Sequence, residues 1–213
     1  ALQCLINPYR KKRLKPGDEV LIPSLCWSTS LWPIIQSGLK PKFVDIDLET
    51  LNINLKDLKK KISKKTKAVL IVHVLGNCTE MDELMRTIKK YNLILIEDTC
   101  ESLGTKFKNK YLGTFGDFSS FSFYSSHQIS SGEGGMITTN DKSLYEKLLM
   151  LRSHGIVKDG STSLQNHGGW AYDMVDLGFN YRLTDFQSAL GLKQIENYKE
   201  NLKKRHLLAK NYT

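Results

Sequence analysis

A carboxylate at the end of an apolar run is the first group in this chain placed for chemistry. Leu93–Ile96 reads as a buried strand that delivers Glu97 and Asp98 to its C-terminal end, with Glu101 three residues beyond Asp98. Open α/β sheets gather their ligands outside the carboxyl ends of parallel strands. An aspartate there can pair with a protonated pyridine nitrogen and let the ring accept electrons. Its plainer use is to cap a helix or brace a hairpin. A second group is Phe121-Ser122-Phe-Tyr-Ser-Ser-His127-Gln-Ile-Ser-Ser-Gly132-Glu-Gly-Gly135. Hydroxyls and glycine N–H groups in a turn suit a phosphate. His127, with an unperturbed pKa of about 6.5, suits proton transfer near neutral pH. A flexible Ser/Gly loop carrying an exposed histidine is the alternative. In a third group, Asn180 and Arg182 precede Thr184-Asp-Phe-Gln187, a capping box. That places them at the positive end of a helix, as an anion site or as simple capping.

These groups need elements to hold them, and strands alternate with helices in the manner of an α/β layered fold. Residues 19–22 form a strand stopped by Pro23, and residues 28–38 a helix ending at Gly38. Lys42–Val44 is a strand, Leu55–Ile62 a lysine-rich surface helix, and 67–72 a buried strand. Thr79-Glu-Met-Asp82 opens the next helix as an approximate capping box, with Met81, Leu84, Met85 and Ile88 on one face. Turn residues at Lys108-Asn-Lys110 make 104–115 a hairpin. Phe118–Phe123 and Met136–Thr139 are strands flanking the Ser/Gly loop, and Leu144–Leu151 is helical. Residues 153–172 form a long polar loop. The chain opens inside one apparent helix and closes inside another.

The 213 residues suffice for one large domain, and 40% hydrophobic with 25% charged residues is ordinary globular composition. No apolar run reaches membrane-spanning length and no secretory leader opens the chain. Four cysteines without C-x-x-C pairing read as free thiols in a reducing compartment, so the expected location is cytoplasmic and no metal site is expected. A net charge of +9 reads as a solvated lysine-rich surface or as attraction to a nucleotide diphosphate. No finger spacing or aromatic RNA motif supports nucleic-acid binding.

Taken together, these segments resemble the DegT/StrS sugar aminotransferase superfamily of fold type I pyridoxal-phosphate enzymes. The matching residues run from Pro16-Gly-Asp-Glu-Val20 through Phe43-Val-Asp-Ile-Asp47, Glu97-Asp98, Gly113–Phe123, Gly132-Glu-Gly-Gly135 and Arg152-Ser-His-Gly155 to Gly178–Gly191, nearly the whole chain. The resemblance implies a three-layer αβα sandwich around a mostly parallel mixed sheet. Residues 1–213 would form the cofactor-binding large domain, incomplete at its N-terminus, with the small C-terminal domain beyond the chain. Asp98 would bind the pyridine nitrogen of pyridoxal 5′-phosphate or pyridoxamine 5′-phosphate. Trp27 would stack on its ring and Ser122 would hold its phosphate. Asn180 would reach the phosphate in the partner of a homodimer with shared sites, and His73–Asn77 would line the site.

One position departs from the aminotransferase pattern. The family's Schiff-base lysine lies five residues before Gly-Glu-Gly-Gly, where this chain has His127. An imidazole forms no stable covalent link to the cofactor aldehyde but can act as general acid and base. Histidine here, an acid at Glu101 in place of glutamine, and Trp27 before Ser28-Thr29 are similar to the family's sugar 3-dehydratases. No cysteine follows Cys100, which removes the iron–sulfur cluster of a related dehydratase group. The implied activity is C3 dehydration of a nucleotide-linked 4-keto-6-deoxy sugar, with an amino donor such as glutamate. The alternatives are a sugar-nucleotide aminotransferase, which Leu151–Ile156 and Trp170–Gly191 resemble, and a catalytically silent paralogue.

Overall fold

The computed structural model of the chain describes residues 1–5, 14–157 and 173–212. In chain order the elements are α1 (Leu2–Leu5), β1 (Glu19–Pro23), α2 (Ser28–Gln36), β2 (Lys40–Val44), α3 (Leu55–Lys61), β3 (Thr66–Val72), α4 (Met81–Tyr91) and β4 (Ile94–Asp98). There follow β5 (Lys106–Phe107), β6 (Lys110–Tyr111), β7 (Phe118–Ser122), β8 (Gly135–Thr138), α5 (Lys142–Arg152), β9 (Ile156–Val157), β10 (Asp173–Met174) and α6 (Asp185–Lys210). Six strands make one sheet in the order β2-β1-β3-β4-β7-β8, with the first five parallel and β8 antiparallel at the edge.

The expected three-layer sandwich is the observed one. Because side chains alternate across a strand, Val20, Ile22, Leu70, Val72, Ile94 and Ile96 face one layer, where Leu2, Ile34, Leu144 and Leu151 of α1, α2 and α5 cover them. Leu21, Val69, Ile71 and Leu95 face the other, against Leu58 of α3 and Met81, Leu84 and Ile88 of α4. Burial on both faces explains why β3 and β4 read as continuous apolar runs. Crossover helix α2 lies on one face and α3 and α4 on the other, so strand order reverses between β1 and β3, where such sheets open a ligand crevice.

Most expected elements stand within two residues of their sequence bounds, and four details differ. α2 stops at Gln36, and Gly38 takes φ +72 two residues later. The Thr79 capping box does not form: Glu80 is the N-cap, no side chain caps the helix, and Thr79 Oγ1 is buried without a hydrogen-bond partner. Burying Met81, Leu84 and Ile88 sets the helical register and leaves Thr79 one residue too early. The 104–115 hairpin is only two short strands joined by Lys108 and Asn109, both with positive φ, as a tight primed turn requires. Of the expected loop 153–172, Ile156–Val157 pairs antiparallel with Asp173–Met174, and 158–172 lies outside the described residues.

The capping box at α6 forms as expected. Thr184 Oγ1 accepts from Gln187 N at 3.3 Å, and Gln187 Oε1 accepts from Thr184 N at 3.1 Å. Thr184→Ala is expected to cost about 1 kcal/mol, read as a lower thermal midpoint of the purified protein; an unchanged midpoint would show that the cap contributes nothing. Among the described residues, no helix is long and apolar enough to cross a membrane.

Candidate active site

The parallel strands end on one edge, and that edge carries Trp27, His73, Asp98, Glu101 and Ser122, or the turns that hold them. Asp98 closes β4, paired with Val72 of β3 on one side and Ser120 of β7 on the other. Its Oδ2 accepts from Ser30 Oγ at 2.7 Å and its Oδ1 from Cys100 N at 3.1 Å. Ser30 lies in the first turn of α2, whose N-cap is Trp27, so the helical turn that begins at Trp27 also supplies a donor to the carboxylate. Two donors leave the carboxylate free acceptor directions. Trp27 is 75% exposed, which leaves its ring face open to a ligand.

Two thiols flank the same carboxylate. Burial first, and then the charge of Asp98, push Cys26 and Cys100 upward in pKa. Burial likewise raises Cys78 to about 11, with Glu80 and Glu97 adding to it. These thiols stay protonated at neutral pH, which removes thiolate nucleophiles from the site.

Glu101 ties three segments together. Its Oε2 accepts from Leu75 N at 2.5 Å, and its carbonyl accepts from the Gln128 amide, one residue after His127. His127 is half-buried, with its N–H on Tyr124 O at 3.1 Å and its ring edge-on to Tyr124, centroids 6.2 Å apart. Ser122 ends β7 opposite Gly135, and its Oγ accepts from Tyr124 N at 3.2 Å. The glycine run returning from the loop is sterically set: Gly132 and Gly134 have positive φ, and a Cβ on Gly135 would lie 2.9 Å from Phe121 O.

Asn180 stands apart from this group. It bridges to Ser153, and its Oδ1 accepts from Arg182 Nε at 3.1 Å on an exposed surface. Two cavities of about 500 and 380 Å³ lie elsewhere, and neither is lined by Asp98, Glu101, Ser122 or His127.

Glu97, on the opposite face of β4 from Asp98, accepts from five donors. These are His73 Nε2 at 3.2 Å, the N–H groups of Gly113, Phe115 and Gly116 at 2.9, 2.8 and 2.7 Å, and Ser119 Oγ at 3.2 Å. Burial opposes its charge, but His73 and the backbone N–H groups outweigh burial and hold its carboxyl below the usual range. His73 Nε2 carries the proton it donates to Glu97, and the buried Nδ1 has no hydrogen-bond partner.

Sequence reading missed Ser30 and Gln128. Ser30 was discernible as the position one helical turn after Trp27; nothing local distinguishes Gln128 from any loop glutamine.

The fold has known counterparts. The profile of the DegT/DnrJ/EryC1/StrS aminotransferase family matches residues 3–213. The chain belongs to that family. GDP-4-keto-6-deoxy-D-mannose 3-dehydratase of Escherichia coli O55:H7 is 41% identical over 194 residues, covering 88% of this chain and 50% of that protein. GDP-perosamine synthase of Escherichia coli O157:H7 is 38% identical over 199 residues, covering 93% and 52%. Among solved structures, that of E. coli GDP-4-keto-6-deoxy-D-mannose-3-dehydratase with bound hydrated PLP superposes with a TM-score of 0.84 at 38% identity, covering 93% of this chain and 52% of that one. The chain therefore spans about half the length of the curated relatives it matches.

Proposed function

We propose that the protein containing this chain is a pyridoxal-phosphate or pyridoxamine-phosphate enzyme acting at C3 of a nucleotide-linked 4-keto-6-deoxy sugar, removing its hydroxyl as water. The observation that carries the reading is His127, an imidazole where a covalently bonding lysine would stand, on a loop tied through Gln128 to Glu101. The site's residues fit the cofactor: Asp98 is a carboxylate anchored by Ser30 with spare acceptor directions, Trp27 an exposed ring at the start of the helix that carries Ser30, and Ser122 a hydroxyl at a strand end.

When bound, the cofactor supplies an electron sink. Asp98 would hold its ring nitrogen protonated, Trp27 would stack on the ring, and Ser122 with the following turn would hold its phosphate. His127 moves protons, accepting one at an imidazole nitrogen and giving one to the departing C3 hydroxyl. Glu101, with one oxygen committed to Leu75 N, orients groups around that transfer. Under the same reading the enzyme is cytoplasmic, takes its amino group from a donor such as glutamate, and works as a homodimer whose Asn180 reaches the partner's cofactor phosphate.

The test is the absorbance spectrum of the full-length protein with pyridoxal phosphate, before and after glutamate. The expected result is a cofactor band that borohydride does not trap on the protein and that glutamate converts to the amine form. A borohydride-trapped lysine adduct would replace this reading with a second one, the aminotransferase, with which the 38% identity to GDP-perosamine synthase is also compatible.

A further inference from the structure

We propose that Asn52 is a positioning residue for this reaction, acting through the Val74–Gly76 turn on Glu101; the inference rests on the functional reading above. Asn52 lies in the loop between β2 and α3 and is only 2% exposed. Its Oδ1 accepts from Val74 N at 3.1 Å and its Nδ2 donates to Thr50 O at 3.3 Å. Asn77 Nδ2 donates to the same Thr50 carbonyl at 3.1 Å. The turn is thus tied on one side to the 50–52 loop. On its other side, Leu75 N donates to Glu101 Oε2 at 2.5 Å, and Thr105 Oγ1 donates to Gly76 O at 3.1 Å.

Between these ties Leu75 is held at φ +54, ψ +24, a left-handed conformation that a leucine adopts only under constraint. Packing of its side chain does not supply the constraint, since Leu75 is 77% exposed. The hydrogen bonds do. Successive N–H groups, of Val74 and Leu75, are held by Asn52 and Glu101 respectively, so the turn bridges a buried amide and the site carboxylate. Without Asn52 the turn keeps its ties at Asn77 and Thr105 but loses the one that holds Val74 N, next to Leu75, so the Leu75 N–H is less firmly aimed at the Glu101 oxygen it fixes. Strained backbone of this kind concentrates at functional sites.

The experiment is a double-mutant cycle in the full-length enzyme, joined to amide hydrogen exchange. Asn52→Ala is expected to lower kcat by about 10- to 100-fold with little change in KM, the loss expected of a misplaced catalytic group. In a Glu101→Ala background the same change is expected to alter kcat less than about twofold, because residues acting through one another are non-additive. Additive losses would overturn the proposal. Hydrogen exchange on cofactor-free protein reads the tie directly: Val74 and Leu75 amides should exchange faster in Asn52→Ala and remain protected in Asn52→Asp, which keeps an acceptor oxygen. Unchanged exchange in Asn52→Ala, or lost protection in Asn52→Asp, would overturn it. A wild-type enzyme showing no cofactor band would instead overturn the functional reading, and exchange would decide the tie on its own.

Discussion

In the full-length protein, His127→Asn is expected to lower sugar dehydration by about 10²- to 10⁴-fold, the usual contribution of a positioned general acid–base group. Asparagine keeps a polar side chain of similar reach but cannot take up or release a proton. The change leaves the loop's own ties in place. His127 contributes its backbone N–H to Tyr124 O, and Gln128, not His127, reaches Glu101. The folded state should therefore stay within about 0.5 kcal/mol of wild type, and cofactor affinity should change little, because Asp98, Trp27 and Ser122 are untouched. Steady-state kinetics on the 4-keto-6-deoxy sugar nucleotide, with a cofactor titration beside them, checks both halves. Full activity in the variant would remove His127 from the chemistry. Loss of cofactor binding would recast it as a binding residue. His127→Lys is the complementary experiment: an amine at that position should make the cofactor trappable by borohydride.

Glu97→Ala is expected to produce the largest loss of stability. The substitution strands five donors, from His73, Gly113, Phe115, Gly116 and Ser119, in the interior around an empty position. Breaking a buried charged network in this way costs about 3–5 kcal/mol, a fall in thermal midpoint of roughly 6–20 °C at the 2–4 °C per kcal/mol typical of domains this size. Its pH dependence has a definite sign. The carboxyl is held below its ordinary value of 4.5 by His73 and backbone N–H groups that outweigh burial. Its contribution is therefore fully present above about pH 4.5 and is lost as pH falls through the lower folded value. The difference in midpoint between wild type and Glu97→Ala should be constant near neutrality and shrink on acidification below about pH 4. Thermal unfolding at a series of pH values measures it. A gap that widened toward acid would mean that the folded carboxyl is held protonated.

These two residues also separate the information held locally from the information held in the fold. Sequence alone placed Asp98 at a strand end, because an apolar run buried on both faces can end only where polarity resumes. It placed the α6 start, because Thr184 and Gln187 satisfy each other within one turn. It singled out His127 by its count from Gly132 within the family's pattern. These signals act over a few residues, or along an ordered set of motifs. Tertiary structure decided everything that depends on which strands are neighbours. Ser30 meets Asp98 across 68 positions, Leu75 meets Glu101 across 26, and Gln128 meets Glu101 across 27. Thr79 had the right chemistry for a cap and lost the role, because burial of Met81, Leu84 and Ile88 sets the helical register. Glu97 and Asp98 are adjacent and chemically alike, and the strand's alternation sends one into a buried ring of five donors and the other to the opposite face, where it accepts from Ser30 and Cys100. Sequence determines that two carboxylates arrive at that strand end; the partners waiting on each face of the sheet decide which braces the fold and which is free to meet a ligand.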